Sequence, residues 1–195
     1  MGWREKFWRV NDQVCPWWLC RSFDNPLRRW IHDPKRILKP HVAEGMTAVD
    51  IGCGMGYFTL GMARLVGPRG KVVAVDLQER MLEGLRRRAE RAGLDRRIVL
   101  HRCRPDDLGV EGPADFALCF WMAHEVPDKA RFFAQIFEFL RPGGRLLLVE
   151  PKFHVTRKSF ERTVEVCRVA GFRLLGEPEI ALSRAVRMEK GTTPS

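Results

Sequence analysis

The chain has 195 residues, a formal net charge of +10 at pH 7 and six cysteines. This length fits one domain with a substantial core. The longest apolar runs are far shorter than the ~20 residues that a membrane helix needs, and the N-terminus lacks the apolar core of a secretory signal. The cysteines are scattered, which suits reduced thiols rather than a disulfide framework. We therefore expect a cytoplasmic protein without membrane insertion.

The first 40 residues are rich in aromatic side chains. They hold five of the six tryptophans: Trp3, Trp8, Trp17, Trp18 and Trp30. Asp33 and Pro34 are typical of a helix cap followed by proline in the first turn. Most of these aromatics are expected to pack onto the rest of the domain, since aromatic stripes usually belong to a core. One or two are expected to line an apolar substrate pocket.

Cys15 and Cys20 raise the question of a metal. Four residues separate them, which lies within some zinc spacings, and His32 and His41 would complete a set of four ligands. The usual second pair of ligands is missing, so we predict no metal. A reactive pair of thiolates handling a soft metalloid substrate is the alternative.

A glycine-rich turn follows the first predicted strand, in Val49-Asp-Ile-Gly-Cys-Gly-Met-Gly-Tyr-Phe-Thr59. A dinucleotide fingerprint would need its last glycine at Tyr57, and a phosphate loop would need a lysine that is absent. The remaining pattern, Asp-x-Gly-x-Gly-x-Gly, resembles motif I of the class I S-adenosylmethionine-dependent methyltransferases. The resemblance extends from about Ile37 to the C-terminus. It implies cofactor contacts from this turn, at Asp50, Gly52, Cys53, Gly54, Gly56 and Tyr57.

The next strand, Lys71–Asp76, ends in an acid about 20 residues beyond the turn. In this position a doubly wound fold places a carboxylate that binds both ribose hydroxyls. The family resemblance assigns the same role to Asp76, with Leu77 beside it. The alternative is that Asp76 only caps the following helix through backbone amides.

The third predicted strand, at 97–102, departs from the family pattern at its end. Cys103 and Arg104 stand where the family usually has a small residue and then an Asp that binds the adenine amine. Arginine cannot accept that hydrogen bond, but its planar head can stack on the ring. Asp106 is a candidate for the missing acceptor.

The fourth and fifth strands carry the candidate catalytic residues. An apolar run at 115–121 ends at Trp121, a further predicted cofactor contact, and opens into His124-Glu125. In the family this loop lies under the transferred methyl group, which makes His124 the first candidate for a base. Glu150 and His154, after the Leu-x-Pro-Gly-Gly entry to the fifth strand, are the second and third candidates.

Six arginines cluster at 86–97, which invites a nucleic-acid interpretation. Apolar residues recur among them at helical spacing, so the arginines are predicted to occupy the solvated face of an amphipathic helix. The family's base-methylating members carry motifs that this chain lacks. Methylation of RNA or of an acidic protein therefore stays a second hypothesis.

Strand and helix patterns alternate along the chain. Strands are predicted at 46–51, 71–76, 97–102, 115–121, 144–150, 172–177 and 182–188, and helices at 57–66, 79–92, 129–140 and 157–170. This order predicts an α/β, doubly wound, seven-stranded and mostly parallel sheet, the Rossmann-like methyltransferase fold. The resemblance implies an antiparallel last strand and a helical, aromatic-rich N-terminal lid at 1–40. The methyltransferase domain is expected at 41–189, followed by a disordered tail at 190–195.

The predicted function is methyl transfer from S-adenosylmethionine to a small-molecule acceptor by in-line displacement. The branch that looks most similar contains the ubiquinone/menaquinone-biosynthesis-type and arsenite-methyltransferase-type enzymes. A non-catalytic cofactor-binding module is the third hypothesis. The chain is expected to be a monomer or a homodimer.

Overall fold

The structure is a computed structural model that describes residues 31–191. The predictions for the N-terminal tryptophans, for Cys15 and Cys20 and for the last four residues lie outside this range. Only the end of the predicted lid, 31–40, falls inside it.

The described chain alternates between strands and helices as predicted. The strands are β1 (Thr47–Ile51), β2 (Lys71–Asp76), β3 (Ile98–Arg102), β4 (Ala114–Phe120), β5 (Leu140–Pro151), β6 (Phe172–Gly176) and β7 (Ser183–Lys190). The helices are α1 (Pro34–Leu38), α2 (Tyr57–Leu65), α3 (Glu79–Arg91), α4 (Lys129–Phe139) and α5 (Arg157–Val169), with short 3-10 turns at Asp95–Arg97 and Ala123–Glu125. The predicted boundaries hold within two residues except at β5, which begins four residues early. Its first residue pairs with Ala114 before a register shift in the β4–β5 ladder.

The seven strands form one sheet in the order β3-β2-β1-β4-β5-β7-β6. The pairings among β1 to β5 are parallel, and β7 is antiparallel to both β5 and β6. The sheet and its antiparallel last strand are confirmed. From β1 the sheet extends through β2 to β3 on one side, and the chain then crosses to β4 on the other side of β1. The direction of winding therefore reverses at β1. In open α/β sheets a ligand binds at such a switch point, outside the carboxyl ends of the strands.

Both faces of the sheet are buried, which explains the unbroken apolar run of β4. Phe116 and Leu118 point into the core beneath α2 and α3, and Ala117 and Cys119 point into the opposite core, which α4 and α5 cover. A strand covered on both faces reads as a continuous apolar run rather than as an alternation.

Helix α1 fixes the described end of the N-terminal segment to the domain. The Asp33 side chain accepts a hydrogen bond from the Lys35 amide, and Pro34 occupies the first turn, as predicted. Leu38 is fully buried. A Cβ added at Gly61 of α2 would lie 2.7 Å from the Pro34 Cβ, so the two helices approach too closely for a larger residue.

The arginine-rich helix α3 is amphipathic, as predicted. Met81 and Leu85 are buried, and Arg86 and Arg87 are exposed. Arg88 differs from its neighbours because it donates a hydrogen bond of 2.9 Å to the Met55 carbonyl in the glycine-rich turn. One arginine of the cluster therefore stabilises the turn.

Candidate functional site

The three glycines of the turn after β1 all have positive φ, at +69°, +54° and +82° for Gly52, Gly54 and Gly56. A Cβ at Gly52 would meet Met122 at 2.9 Å, and one at Gly56 would meet Leu85 at 2.2 Å. A Cβ at Gly54 would have nothing within 4 Å. Two of the glycines thus allow close packing within the protein, whereas Gly54 faces open space where a ligand can approach the backbone.

Asp76, at the end of β2, holds this turn in place. Its Oδ2 accepts a hydrogen bond of 2.9 Å from the Gly54 amide, and its Oδ1 accepts one of 2.9 Å from Gln78. Burial raises the pKa of the Asp76 carboxyl, and these backbone hydrogen bonds act in the opposite direction. Each carboxylate oxygen has a second acceptor position. Asp76 can therefore cap the turn and still accept two ribose hydroxyls.

A cavity of about 730 Å³ opens at this edge of the sheet. Its volume lies within the roughly 300–1,000 Å³ that is usual for cofactor sites. Seven predicted contacts line it: Gly52, Gly54, Asp76, Leu77, Cys103, Arg104 and Trp121. An open glycine backbone beside an acid with spare acceptor positions fits the nucleoside part of S-adenosylmethionine.

Four other predicted contacts do not line this cavity. Asp50 is buried and accepts a hydrogen bond of 2.5 Å from the Thr59 hydroxyl, which joins β1 to α2. The Tyr57 hydroxyl donates to the His32 carbonyl at 3.0 Å. Cys53 is buried, and this burial raises the pKa of its thiol well above the usual value. With Gly56, these residues shape the turn from behind.

The sequence did not single out the residues that line the far side of the cavity. They come mainly from the loop before α4 and from α4 itself, and they include Met122, Val126, Arg131, Phe132 and Gln135. Gln135 accepts a hydrogen bond from the Leu108 amide at 2.7 Å and donates to the Asp106 carbonyl at 3.3 Å. The position of α4 over the turn after β3, set by these bonds, has no local sequence signal.

Arg104, which replaces the usual Asp of the family pattern, lies beside the cavity as predicted. Arg104 and Asp107 exchange backbone hydrogen bonds of 2.9 and 3.3 Å, which form a tight turn after β3. Arg104 and Asp106 are both exposed and both line the cavity. Burial raises the pKa of the neighbouring Cys103 thiol to about 11, so this thiol stays protonated at neutral pH.

The three catalytic candidates, predicted separately, form one cluster. The His124 Nδ1 lies 2.5 Å from the Glu150 Oε2, and the His124 amide donates to the Glu150 Oε1 at 3.2 Å. Glu150 is only 2% exposed. The His154 ring centroid lies 4.8 Å from that of His124. The structure thus pairs an imidazole with a buried carboxylate at the carboxyl ends of β4 and β5.

This pairing determines which nitrogen of His124 is available. A buried carboxylate accepts a hydrogen bond, so we assign the ring proton to Nδ1. The lone pair of the neutral ring is then on Nε2. The Glu125 Oε1 lies 3.9 Å from Nε2 and would stabilise a proton taken up there. The arrangement can act as a general base.

Trp121 lines the cavity and precedes His124 by three residues. Its backbone has a positive φ of 59°, and its Nε1 donates a hydrogen bond of 2.9 Å to the Ser183 hydroxyl. Its ring centroid lies 4.9 Å from that of His32 and 5.4 Å from that of Phe153. A non-glycine residue in this conformation costs free energy and is typical of functional sites.

Among residues 31–191, no group of three or more His, Cys, Asp or Glu side chains is arranged to hold a metal ion. Of the two histidines considered as zinc ligands, His32 bonds to the Ala181 carbonyl at 2.8 Å and His41 stacks on Phe116. No helix in the same range has the length and apolar character needed to cross a membrane.

Comparison with known proteins identifies two similar sequences, a similar solved structure and a matching family model. The chain is 33% identical over 115 residues to a demethylmenaquinone methyltransferase of Symbiobacterium thermophilum, covering 58% of this chain and 46% of that protein. It is 30% identical over 110 residues to the ubiquinone/menaquinone biosynthesis C-methyltransferase UbiE of Pasteurella multocida, covering 56% and 41%. The chain thus matches about half of the length of these relatives. The crystal structure of a SAM-dependent methyltransferase from Aquifex aeolicus superposes with a TM-score of 0.82 at 22% identity, covering 91% of this chain and all of that chain.

The model of a methyltransferase domain matches residues 43–177, more than half of the chain. This match includes the glycine turn, Asp76 and the His124–Glu150 pair. The chain therefore belongs to the methyltransferase-domain family of class I, S-adenosylmethionine-dependent enzymes.

Proposed function

We propose that this protein transfers a methyl group from S-adenosylmethionine to a small hydroxylated ring. The names of two relatives, a demethylmenaquinone methyltransferase and a ubiquinone/menaquinone biosynthesis C-methyltransferase, support an acceptor of this type. One observation carries the proposal. The His124–Glu150 pair is arranged as a general base, His154 packs its ring against that of His124, and the chain neighbours Met122 and Glu125 line the cofactor cavity.

The cofactor side of the site combines an open glycine backbone with charged side chains. Gly54 leaves space for close approach, and Asp76 offers acceptors for the ribose hydroxyls. Arg104 offers a planar cation for stacking on the adenine, and Asp106 offers an acceptor. When bound, S-adenosylmethionine supplies a methyl group that its sulfonium already makes electrophilic.

The acceptor side has to supply an electron-rich nucleophile. In this proposal His124 Nε2 removes the proton from a ring hydroxyl of the acceptor, which raises the electron density of the oxygen and of the conjugated ring carbons. Glu150 holds the imidazole in the required tautomer and stabilises the imidazolium that forms. A base positioned in this way contributes typically 10²–10⁴-fold to a rate.

Flanking rings favour a flat acceptor. The His154 ring packs against the His124 ring, and Trp121 follows β4 directly, three residues before His124. We expect both rings to pack against an aromatic acceptor in stacked or edge-to-face arrangements. Trp121 also lines the cofactor cavity, so it can contact both reactants. Aromatic rings in these positions exclude water and orient the reacting atom of the acceptor.

The test is transfer of labelled methyl from S-adenosylmethionine to a panel of reduced quinones, including demethylmenaquinol, by the wild type and by His124→Asn. We expect transfer by the wild type and a loss of about 10²-fold or more in kcat for the variant. Binding of S-adenosylhomocysteine should not change, because His124 does not line the cavity.

Two other results would replace the proposal. Cofactor binding without transfer to any acceptor, even in cell extract, would indicate a non-catalytic cofactor-binding module. Transfer to RNA or protein with no transfer to reduced quinones would indicate a macromolecular acceptor.

A further inference from the structure

Two large apolar side chains are left exposed at the edge of the sheet that carries the site. Phe153, in the turn after β5, is 71% exposed, and Leu182, just before β7, is 53% exposed. Their segments are joined directly, because the Lys152 amide donates a hydrogen bond of 2.9 Å to the Leu182 carbonyl. We name these two side chains the rim pair.

The exposure of Phe153 does not arise from a loosely held turn. The Val155 amide donates to the Pro151 carbonyl at 2.9 Å, which closes the turn. Arg184 of β7 donates to the Val155 carbonyl at 2.9 Å and to that of Lys152 at 3.4 Å. With its backbone fixed on both sides of it, Phe153 is presented outward.

Leu182 is held in a conformation that its residue type disfavours. Its φ is +57°, in the left-handed region that glycine and asparagine adopt more readily. Folding alone would therefore favour glycine or asparagine here, and an exposed leucine gains little from burial. A strained residue whose side chain adds nothing to the core points to a role in binding.

The rim pair adjoins the candidate base. The Phe153 ring centroid is 5.4 Å from that of Trp121, and the next residue, His154, packs its ring against His124. Ser183, directly after Leu182, accepts the hydrogen bond from the Trp121 indole. An acceptor at His124 would therefore have the rim pair within reach of any group that extends outward from it.

We infer that Phe153 and Leu182 bind an apolar substituent of the acceptor and so determine its specificity; this inference rests on the proposed function. The reacting ring lies at His124, and a chain attached to the ring covers the two exposed side chains. Burial of apolar surface against apolar surface favours binding roughly in proportion to the area covered.

The test compares two acceptors, 1,4-dihydroxynaphthalene and the same ring with an octyl chain, in the wild type, Phe153→Ala and Leu182→Asn. For the octyl acceptor we expect KM to rise about tenfold in each variant with kcat little changed. The unsubstituted acceptor should react equally well with all three proteins. Leu182→Asn should also raise the melting temperature, because asparagine suits the left-handed backbone.

Val169→Ser is the matched control, since Val169 is 82% exposed and lies at the end of α5, where the chain has returned to the opposite edge of the sheet. This variant should not distinguish the two acceptors. Equal losses for both acceptors in the rim variants, or no loss for either, would overturn the inference. The inference would also be overturned if the rim variants lost binding to anionic lipid vesicles without any change in acceptor preference.

Calorimetric binding of the octyl acceptor to protein saturated with S-adenosylhomocysteine separates this inference from the proposed function. Binding that weakens in the rim variants supports the rim pair even if no methyl is transferred, and in that case only the proposed function fails. A wild type that does not bind the octyl acceptor overturns the inference directly.

Discussion

The two halves of the site are built in different ways. The cofactor half, over the carboxyl ends of β1 to β3, is made of a glycine turn and one carboxylate fixed by backbone amides. The acceptor half, over β4 and β5, is made of side chains that meet from distant parts of the chain, such as His124 and Glu150. The cofactor half is formed mainly by residues that are close together in the sequence, whereas the acceptor half depends on how distant segments pack. Substitutions should therefore separate cofactor binding from methyl transfer.

The largest effect is expected from Glu150→Gln. The amide keeps the size of the side chain but removes the charge that fixes the tautomer of His124, so kcat should fall by about 10²–10⁴-fold. The affinity for S-adenosylhomocysteine should not change, because Glu150 does not line the cavity. Steady-state kinetics and calorimetry on the same preparation check both statements.

The exposed Glu165 of α5 provides the control for this variant. Glu165→Gln should leave kcat unchanged. If Glu150→Gln lost cofactor binding as much as turnover, the two halves would not be separable.

A separate prediction concerns the pH dependence of folding stability, at a residue that belongs to neither half of the site. Burial, with Arg187 and Arg145 nearby, lowers the pKa of His41 from 6.5 to about 4. Below pH 6.5 the unfolded chain binds a proton that the folded protein does not, so stability falls as the pH falls toward 4. We expect this group to remove about 2 kcal/mol of unfolding free energy between pH 7.5 and pH 5.

His41→Phe keeps the stacking on Phe116 and removes the titration. Urea unfolding at the two pH values should show a smaller difference for this variant than for the wild type. Equal pH dependence in both proteins would rule out His41 as the source.

The glycine turn permits a sharper comparison within the cofactor half. Gly56→Ala forces a Cβ against the buried Leu85, and we expect a cost of about 2–4 kcal/mol from strain and overpacking. Gly54→Ala meets no protein atom and should cost only ~1 kcal/mol, the strain of its positive φ.

Among the folded fraction of each variant, the loss of cofactor affinity should be larger in Gly54→Ala than in Gly56→Ala, the reverse of the order in stability. Gly54→Ala places a methyl group where the ligand approaches, so it should weaken S-adenosylhomocysteine more than Gly56→Ala does. Thermal unfolding and calorimetry measure the two quantities. A larger loss of stability in Gly54→Ala would mean that the turn is packed differently.

The smallest effect is expected at the arginine cluster. Arg86, Arg87 and Arg91 are exposed on α3, so changing all three to Gln should leave methyl transfer to a small acceptor unchanged. Arg88 is left in place because it bonds to Met55 in the turn. A loss of RNA binding with a steep salt dependence would favour the macromolecular acceptor instead.

The difference between the halves also explains how much the sequence could predict. The seven strands, the four long helices, the glycine turn and Asp76 follow from local patterns, because strand periodicity and glycine spacing are properties of neighbouring residues. The family resemblance brought His124 into consideration, and Glu150 came into consideration through its position at the end of the fifth strand. Their hydrogen bond could not be predicted, since it depends on how the turn after β4 folds.

Other features had no local signal at all. The positive φ values at Trp121 and Leu182 occur in residue types that rarely adopt them, so no composition rule points to them. Asp50 and Tyr57 lie in the matching motif, yet their side chains bond to Thr59 and to the His32 carbonyl rather than line the cavity. A motif locates a site, and packing decides which of its side chains face the ligand.

The most direct test of the two-part site is a calorimetric titration with S-adenosylhomocysteine of the wild type, Asp76→Ala and His124→Asn, with NAD as the control ligand. The account predicts binding by the wild type, unchanged binding by His124→Asn, and a loss of at least about tenfold in Asp76→Ala, which removes charge-assisted hydrogen bonds. NAD should not bind. Equal affinities in the wild type and a folded Asp76→Ala, or binding of NAD in place of S-adenosylhomocysteine, would contradict it.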